Sequence, residues 1–203
     1  KLRERGVASD KIFVTGIPVD VFNRENHDAS SNVPLVLVMG GSQGIGPLEK
    51  IVDVLDDLKP PFEMAVVAGK NKRLYRRFQK RADRFKKKVE PFGYTQEVPR
   101  LMRRAALLVS KPGGLTTAEA LALGLPIIFI DPIPGQEAKN AALLLKYGAA
   151  LEARSAEETG ALVERLFQEP RRMEAIRKQM ALLARPDAAL AIAQQVLDGE
   201  LAF

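Results

Sequence analysis

Short apolar runs that break off at a loop, followed each time by a stretch with helical spacing, constrain this chain more than any single motif. Pro34–Met39 (PLVLVM) stops at Gly40-Gly41, and Phe62–Ala68 (FEMAVVA) stops at Gly69. Lys88–Phe92, Leu107–Ser110, Pro126–Ile130 (PIIFI) and the short Ala149–Glu152 read as further strands. Uninterrupted apolar runs suit strands buried on both faces, the condition of a parallel sheet. Between them, Ile45, Leu48, Ile51, Val52, Leu55 and Leu58 recur at helical spacing until Pro60-Pro61. Leu74, Phe78, Ala82 and Phe85 mark the inner face of a basic helix. Helices are expected over Gln96–Ala105, Leu115–Leu123 and Gln136–Tyr147. The rest reads as helices, with Met173, Ile176, Met180 and Leu183 on one buried stripe. The fold class is therefore α/β: a doubly wound, Rossmann-like parallel sheet of about six strands with helices on both faces.

Composition removes several classes of function. At 203 residues and 46% hydrophobic content, one ordinary domain is expected. There is no cysteine, and the one histidine, His27, sits in the polar stretch NRENHDASSN, which reads as a solvated loop. Disulfides, thiolate metal sites, a histidine metal cluster and a Ser-His triad within the chain are thereby excluded. No run approaches the ~18 apolar residues of a membrane span. The opening KLRERGVASDKIFVTG lacks the apolar core of a signal peptide. It reads as a helix tail (Lys1–Arg5) stopped at Gly6, then a strand (Lys11–Thr15), so a preceding domain is expected outside this chain.

The net charge of +6 is unevenly placed. Lys70, Lys72, Arg73, Arg76, Arg77, Lys80, Arg81, Arg84, Lys86, Lys87 and Lys88 face a single acid, Asp83, in that stretch. Such a bias favours an anionic partner: nucleic acid, an anionic membrane or a phosphorylated ligand. A nucleic-acid-binding module is disfavoured, because aromatic interleaving is lacking and two of Tyr75, Phe78 and Phe85 fall on the inner face. A solvated outer face on a core-packed helix accounts for the same cations more plainly.

Ligands of doubly wound sheets bind beyond the carboxyl ends of the strands. Four loops should leave that one edge: Gly40–Gly46, Phe92–Gln96, Ser110–Thr116 and Asp131–Glu137. The first, GGSQGIG, lets backbone approach a ligand closely and leads into a helix, which suits a phosphate, with Ser42 as a hydroxyl donor. It is neither a P-loop nor a dinucleotide fingerprint, and a plain strand-to-helix turn would read the same way. SKPGGLTT, from Ser110, repeats the arrangement, so the two could hold a diphosphate between them. Glu119, early in the next helix, could accept hydrogen bonds from a ribose diol or simply answer the helix dipole. Gln136, Glu137 and Asn140 offer amide and carboxylate groups suited to sugar hydroxyls, or to capping. Taken together, the loops describe a nucleotide-sugar.

At these residues the sequence resembles the C-terminal half of a GT-B glycosyltransferase of family 28. The resemblance runs from GIPVDVF (Gly16–Phe22) through MGGSQGIGPLEK, VAGKNKRL, KPGGLTTAEALALGLP and IPGQEAKN to the final helices. The glycolipid branch fits best, nearest the monogalactosyldiacylglycerol synthases and diacylglycerol glucosyltransferases. IPGQEAKN replaces the aspartate- and histidine-bearing segment usual in the murein-precursor enzyme. The resemblance implies that Gly113, Gly114, Leu115 and Thr116 hold the diphosphate, helped by Lys111, Gly41, Ser42 and Gln43. Glu119 would bind the ribose, the backbone of Phe92, Gly93 and Tyr94 the uracil, and Pro134, Gly135, Gln136, Glu137 and Asn140 the hexose.

It further implies inverting transfer of galactose or glucose from a UDP-sugar to diacylglycerol at the cytoplasmic face of a membrane, peripherally bound. The alternative is N-acetylglucosamine transfer to a lipid-linked peptidoglycan precursor. A UDP-sugar 2-epimerase would need more acids and histidines in the cleft. No metal and no cofactor beyond the donor are implied, and the catalytic base and acceptor site would belong largely to the N-terminal half. The expected organisation is the end of an N-terminal domain and a linker over residues 1–22, a nucleotide-sugar-binding domain over 23–185, and a C-terminal helix over 186–203 that crosses back to the other half.

Overall fold

In the computed structural model, which describes residues 2–20 and 33–198, six strands alternate with eight α-helices. The first half holds β1 (Leu35–Met39), α1 (Leu48–Asp56), β2 (Glu63–Val67), α2 (Lys72–Arg81), β3 (Val89–Phe92) and α3 (Val98–Arg104). Then come β4 (Ala105–Ser110), α4 (Gly114–Leu123), β5 (Ile127–Ile130), α5 (Gln136–Lys146) and β6 (Leu151–Ala153). The chain closes with α6 (Ala156–Gln168), α7 (Pro170–Leu183) and α8 (Ala188–Leu197).

All five strand pairings are parallel, in the order β3-β2-β1-β4-β5-β6. The doubly wound sheet expected from the apolar runs is therefore present. All five residues of the central strand β1 are buried, as its place between β2 and β4 requires. Winding reverses between β1 and β4. Right-handed crossovers then place α1 and α4 on opposite faces: α1 packs with α6, and α4 with α3, α5 and α7.

Several expectations are corrected at the edges of elements. Lys11–Thr15 is not a strand. A 3-10 turn, Ser9–Lys11, passes into extended chain that pairs with no strand of the sheet. The helix tail over Lys1–Arg5 reduces to one 3-10 turn, Arg3–Arg5, closed by Gly6 at φ 82°. Ile45 stands outside α1 and is 51% exposed, because the glycine loop before it folds into a turn of its own. Ala82 falls in a 3-10 turn beyond α2, and Phe85 lies past that turn, half-buried. The helix expected from Gln96 begins at Val98, and Ala105 already belongs to β4. Met173, Ile176 and Met180 are buried as their spacing predicts, while Leu183 packs at the margin. His27 and Phe22 lie outside the described residues.

Two glycines fix the shape of the binding edge. Gly44, at φ 60°, lies so close to the β2–α2 connection that an added Cβ would fall 1.9 Å from the Ala68 carbonyl oxygen. Gly69, at φ 56°, would place a Cβ 2.5 Å from the Ser42 carbonyl oxygen. Backbone meets backbone here, so no side chain can yield. Gly44→Ala is expected to cost about 2 kcal/mol or more in urea unfolding, from the clash and the left-handed backbone together. A loss under about 0.5 kcal/mol, the usual range for a surface change, would contradict this packing.

Candidate functional site

Met39 at the end of β1 pairs in register with Ser110 at the end of β4. Gly40 and Lys111 therefore leave the sheet side by side, about 4.8 Å apart. Because α1 and α4 lie on opposite faces, a crevice opens between the two loops, at the point where such sheets bind ligands.

The two glycine-rich loops are built differently. Gly40–Gly46 closes on itself through Gly44 N to Gly41 O (3.1 Å) and Ile45 N to Gly40 O (3.0 Å). The Lys70 amide then donates to the Ser42 carbonyl at 2.8 Å, and Asn71 Nδ2 to the Gly44 carbonyl at 3.2 Å. Asn71 also caps α2, its Oδ1 accepting from the Leu74 amide at 3.0 Å. The helix itself starts only at Leu48, behind Pro47. The loop leads into its helix only after Pro47, and it presents the exposed Ser42 and Gln43 ahead of that start.

The second loop does open a helix. Gly113 is the N-cap of α4, with no side chain capping it, and an added Cβ there would meet nothing within 4 Å. The amides of Gly114, Leu115 and Thr116 belong to the first turn and have no carbonyl one turn earlier to bond. They carry the positive end of the helix dipole. By contrast, α2 and α6 are capped by Asn71 and Ser155.

The start of α5 is drawn to the same spot. Asn140 Nδ2 donates to the Pro112 carbonyl at 3.0 Å. The Cβ position of Gly114 lies 3.8 Å from both Asn140 Nδ2 and Gln136 Nε2. Pro134, Gly135 and Gln136 are exposed, and Gly135, at φ 112° and ψ −118°, takes a backbone reserved for glycine. Glu137 Oε2 accepts from the Ile133 amide at 2.9 Å, so this carboxylate does cap its own loop. Lys111 is directed elsewhere: its side chain is buried and its ammonium stands 3.3 Å from Asp131.

Glu119 and the Phe92–Tyr94 backbone stand apart from this cluster. Glu119 is half-buried in a small cavity between α3 and α4, beside Met102, Arg103, Val19 and Asp20. Burial pushes its carboxyl above the usual carboxylate range. Phe92 ends the edge strand, three strand spacings or about 14 Å from β4. Its carbonyl already accepts from the Ala68 amide at 2.8 Å. Tyr94 is 69% exposed, with Lys70 Nζ 5.6 Å from its ring centre. A ligand that touched every expected residue would have to lie extended along the edge of the sheet.

Two groups escaped the reading from sequence. Asn71 clamps the glycine loop, and its place before a basic helix is the ordinary signal of an N-cap. The Thr117 hydroxyl is buried and has no hydrogen-bond partner among the described residues, in a cavity it shares with Gly114 and Asn140. No sequence pattern distinguishes it from its neighbour Thr116.

The strand order and the placement of the two loops define a doubly wound, Rossmann-like α/β domain with its crevice at the β1/β4 switch point. Residues 35–196 match the glycosyltransferase family 28 C-terminal domain, and the chain belongs to that family. Among curated proteins, it is similar to the processive diacylglycerol beta-glucosyltransferase of Bacillus cytotoxicus, at 30% identity over 96% of this chain and 53% of that protein. The Bacillus pumilus protein of the same name is 29% identical over 98% and 54%. The chain thus spans about half the length of the curated relatives it matches. Among solved structures, Acinetobacter baumannii MurG superposes with a TM-score of 0.66 at 18% identity, over 84% of this chain and 53% of that one. Anabaena Alr3699/HepE in complex with UDP-glucose gives 0.62 at 18%, over 83% and 48%. At these identities the two structures attest the fold.

The position of Glu119 yields a pH signature. A folded-state pKa raised by burial means the protonated form fits the fold better than the carboxylate. That contribution is complete below the ordinary glutamate pKa and lost as pH rises through the raised value. Glu119→Gln is therefore expected to raise Tm at neutral pH, with the gain vanishing in acid. A Tm difference that does not change with pH would contradict the burial.

Proposed function

We propose that this chain is the donor-binding half of an inverting glycosyltransferase that moves a hexose, glucose in preference to galactose, from UDP to diacylglycerol. The names of the curated relatives support that substrate pair, and the word processive in them supports repeated transfer to the hexosyl product. One observation carries the reading: the uncapped N-terminus of α4 stands at the β1/β4 crevice with the Gln136 and Asn140 amides beside it.

In this reading the Gly114, Leu115 and Thr116 amides hold the diphosphate, and Ser42 faces it from the neighbouring loop with Gly41 and Gln43. Fixed backbone dipoles suit this task, because they need no reorganisation as the leaving group gains charge. Gln136, with Asn140, would orient the hexose, and Glu119 would accept from the ribose hydroxyls. Phe92, Gly93 and Tyr94 would receive the uracil. The diacylglycerol hydroxyl attacks the sugar C1 while the bond from C1 to the diphosphate oxygen breaks. UDP departs with the electron pair, and the proton passes to a base on the other half of the enzyme. No metal or further cofactor enters this scheme.

The cations of α2 support a peripheral approach to an anionic bilayer. Arg77 is held by Glu49 at 2.7 Å and Arg81 by Asp53, both acids of α1. Lys72, Arg73, Arg76 and Lys80 are left on the outer face, each contributing about 1 kcal/mol near such a surface. Flotation with vesicles should show binding that requires anionic lipid. Equal binding to neutral vesicles would dismiss this part of the reading.

Calorimetry against UDP, UDP-glucose, UDP-galactose and UDP-N-acetylglucosamine tests the donor. UDP and UDP-glucose are expected to bind the chain by itself, without turnover. Gly113→Ala should leave stability within about 0.5 kcal/mol, since space around it is open. The same substitution should weaken UDP about tenfold by crowding the phosphate. Undiminished UDP affinity would remove the α4 N-terminus from the site.

A further inference from the structure

The loop between β5 and α5 serves two faces of the sheet. Its Gly135 end turns to α4, whereas its Asp131 end borders a cavity of about 620 Å³ on the α1 side. That size lies within the ~300–1,000 Å³ of small-molecule sites. Its apolar lining includes Ile51 and Ile130, and its polar lining includes Asp131, Glu152 and Arg154.

The charges of these groups cancel. Asp131 is neutralised by Lys111 at 3.3 Å. Glu152 and Arg154 oppose each other in sign, and neither side chain pairs with another group among the described residues. A cavity of zero net charge with two carboxylates gives no advantage to a second phosphate. It suits a neutral polyol: carboxylates accept from hydroxyls, a guanidinium donates to them, and apolar side chains cover a C–H face. Asp131 is also the one non-glycine residue with positive φ (44°) among the described residues, a conformation the surrounding loop must hold in place.

The cavity adjoins the crevice. An added Cβ at Gly46, the end of the first glycine loop, would lie 3.8 Å from Asp131 Oδ2 and 3.9 Å from Lys111 Cε. We propose that it is a second hexose subsite, which holds the sugar of a hexosyl-diacylglycerol acceptor when transfer is repeated. The inference rests on the donor reading above. The transfer is the same substitution at C1, with a sugar hydroxyl in place of the glycerol hydroxyl, its proton leaving to the same base and UDP departing.

Amide NMR of the chain, titrated with methyl β-D-glucopyranoside in saturating UDP, tests it. Shifts are expected at Ile130, Asp131 and residues 152–155, and they should persist when UDP-glucose replaces UDP. Glu152→Gln with Arg154→Ala should weaken the glucoside about tenfold and leave UDP affinity unchanged. The Arg154 backbone amide, which bonds Glu158, is untouched by that change. If UDP binds and the glucoside shifts only residues 135–140, or nothing, the subsite is overturned and the donor reading stands. If UDP fails to bind while the glucoside still shifts Ile130, Asp131 and residues 152–155, the donor reading falls and the sugar site remains. Inorganic phosphate shifting those residues in the glucoside's place would overturn the assignment to a neutral sugar.

Discussion

The reversal of strand order between β1 and β4 governs the rest of the binding edge. Hydrogen bonding in register from Val36–Met39 to Leu107–Ser110 sets two loop origins side by side. Handedness then sends their helices to opposite faces. A crevice is the geometric result, and nothing in the side chains of either loop creates it. What the side chains decide is which of the two loops can offer unpaired amides there.

Glycine serves two distinct purposes along that edge. Gly44 and Gly69 are required because two backbone segments press together, and both are consumed by packing. Gly113 borders empty space at the mouth of an uncapped helix, where the absence of a side chain has no packing explanation. Two glycine-rich loops that look equivalent in sequence therefore divide the work. One is a rigid wall clamped by Lys70 and Asn71, and the other is an open electropositive end. The ion pair between buried Lys111 and exposed Asp131 lies beneath them on the α1 side and ties the end of β4 to the loop after β5.

The sheet was legible because its four inner strands, β2, β1, β4 and β5, are buried on both faces, which leaves continuous apolar runs ending at loops. The N-terminal segment misled for a related reason. Lys11–Thr15 has the composition of a strand, but strand formation depends on a partner edge, which composition does not reveal. Helix starts were misplaced where a loop formed its own turn first, as at Ile45. Within the site, the nearness of Gln136 and Asn140 to Gly114 was implied by the parallel sheet. The engagement of Glu137 with Ile133 and of Lys111 with Asp131 was not, since a long side chain's direction is settled by partners distant in sequence. The cavity at Glu152 and Arg154 was invisible for the same reason, as its walls come from β5, β6 and the loop before α1.

A crystal structure of the chain grown with UDP addresses the central claim most directly. Diphosphate oxygens are expected about 2.7–3.2 Å from the Gly114, Leu115 and Thr116 amides. Ser42 should face them from the neighbouring loop, and the ribose should lie on Glu119. A nucleotide seated away from the N-terminus of α4, its phosphates held instead by the arginines of α2, would contradict it.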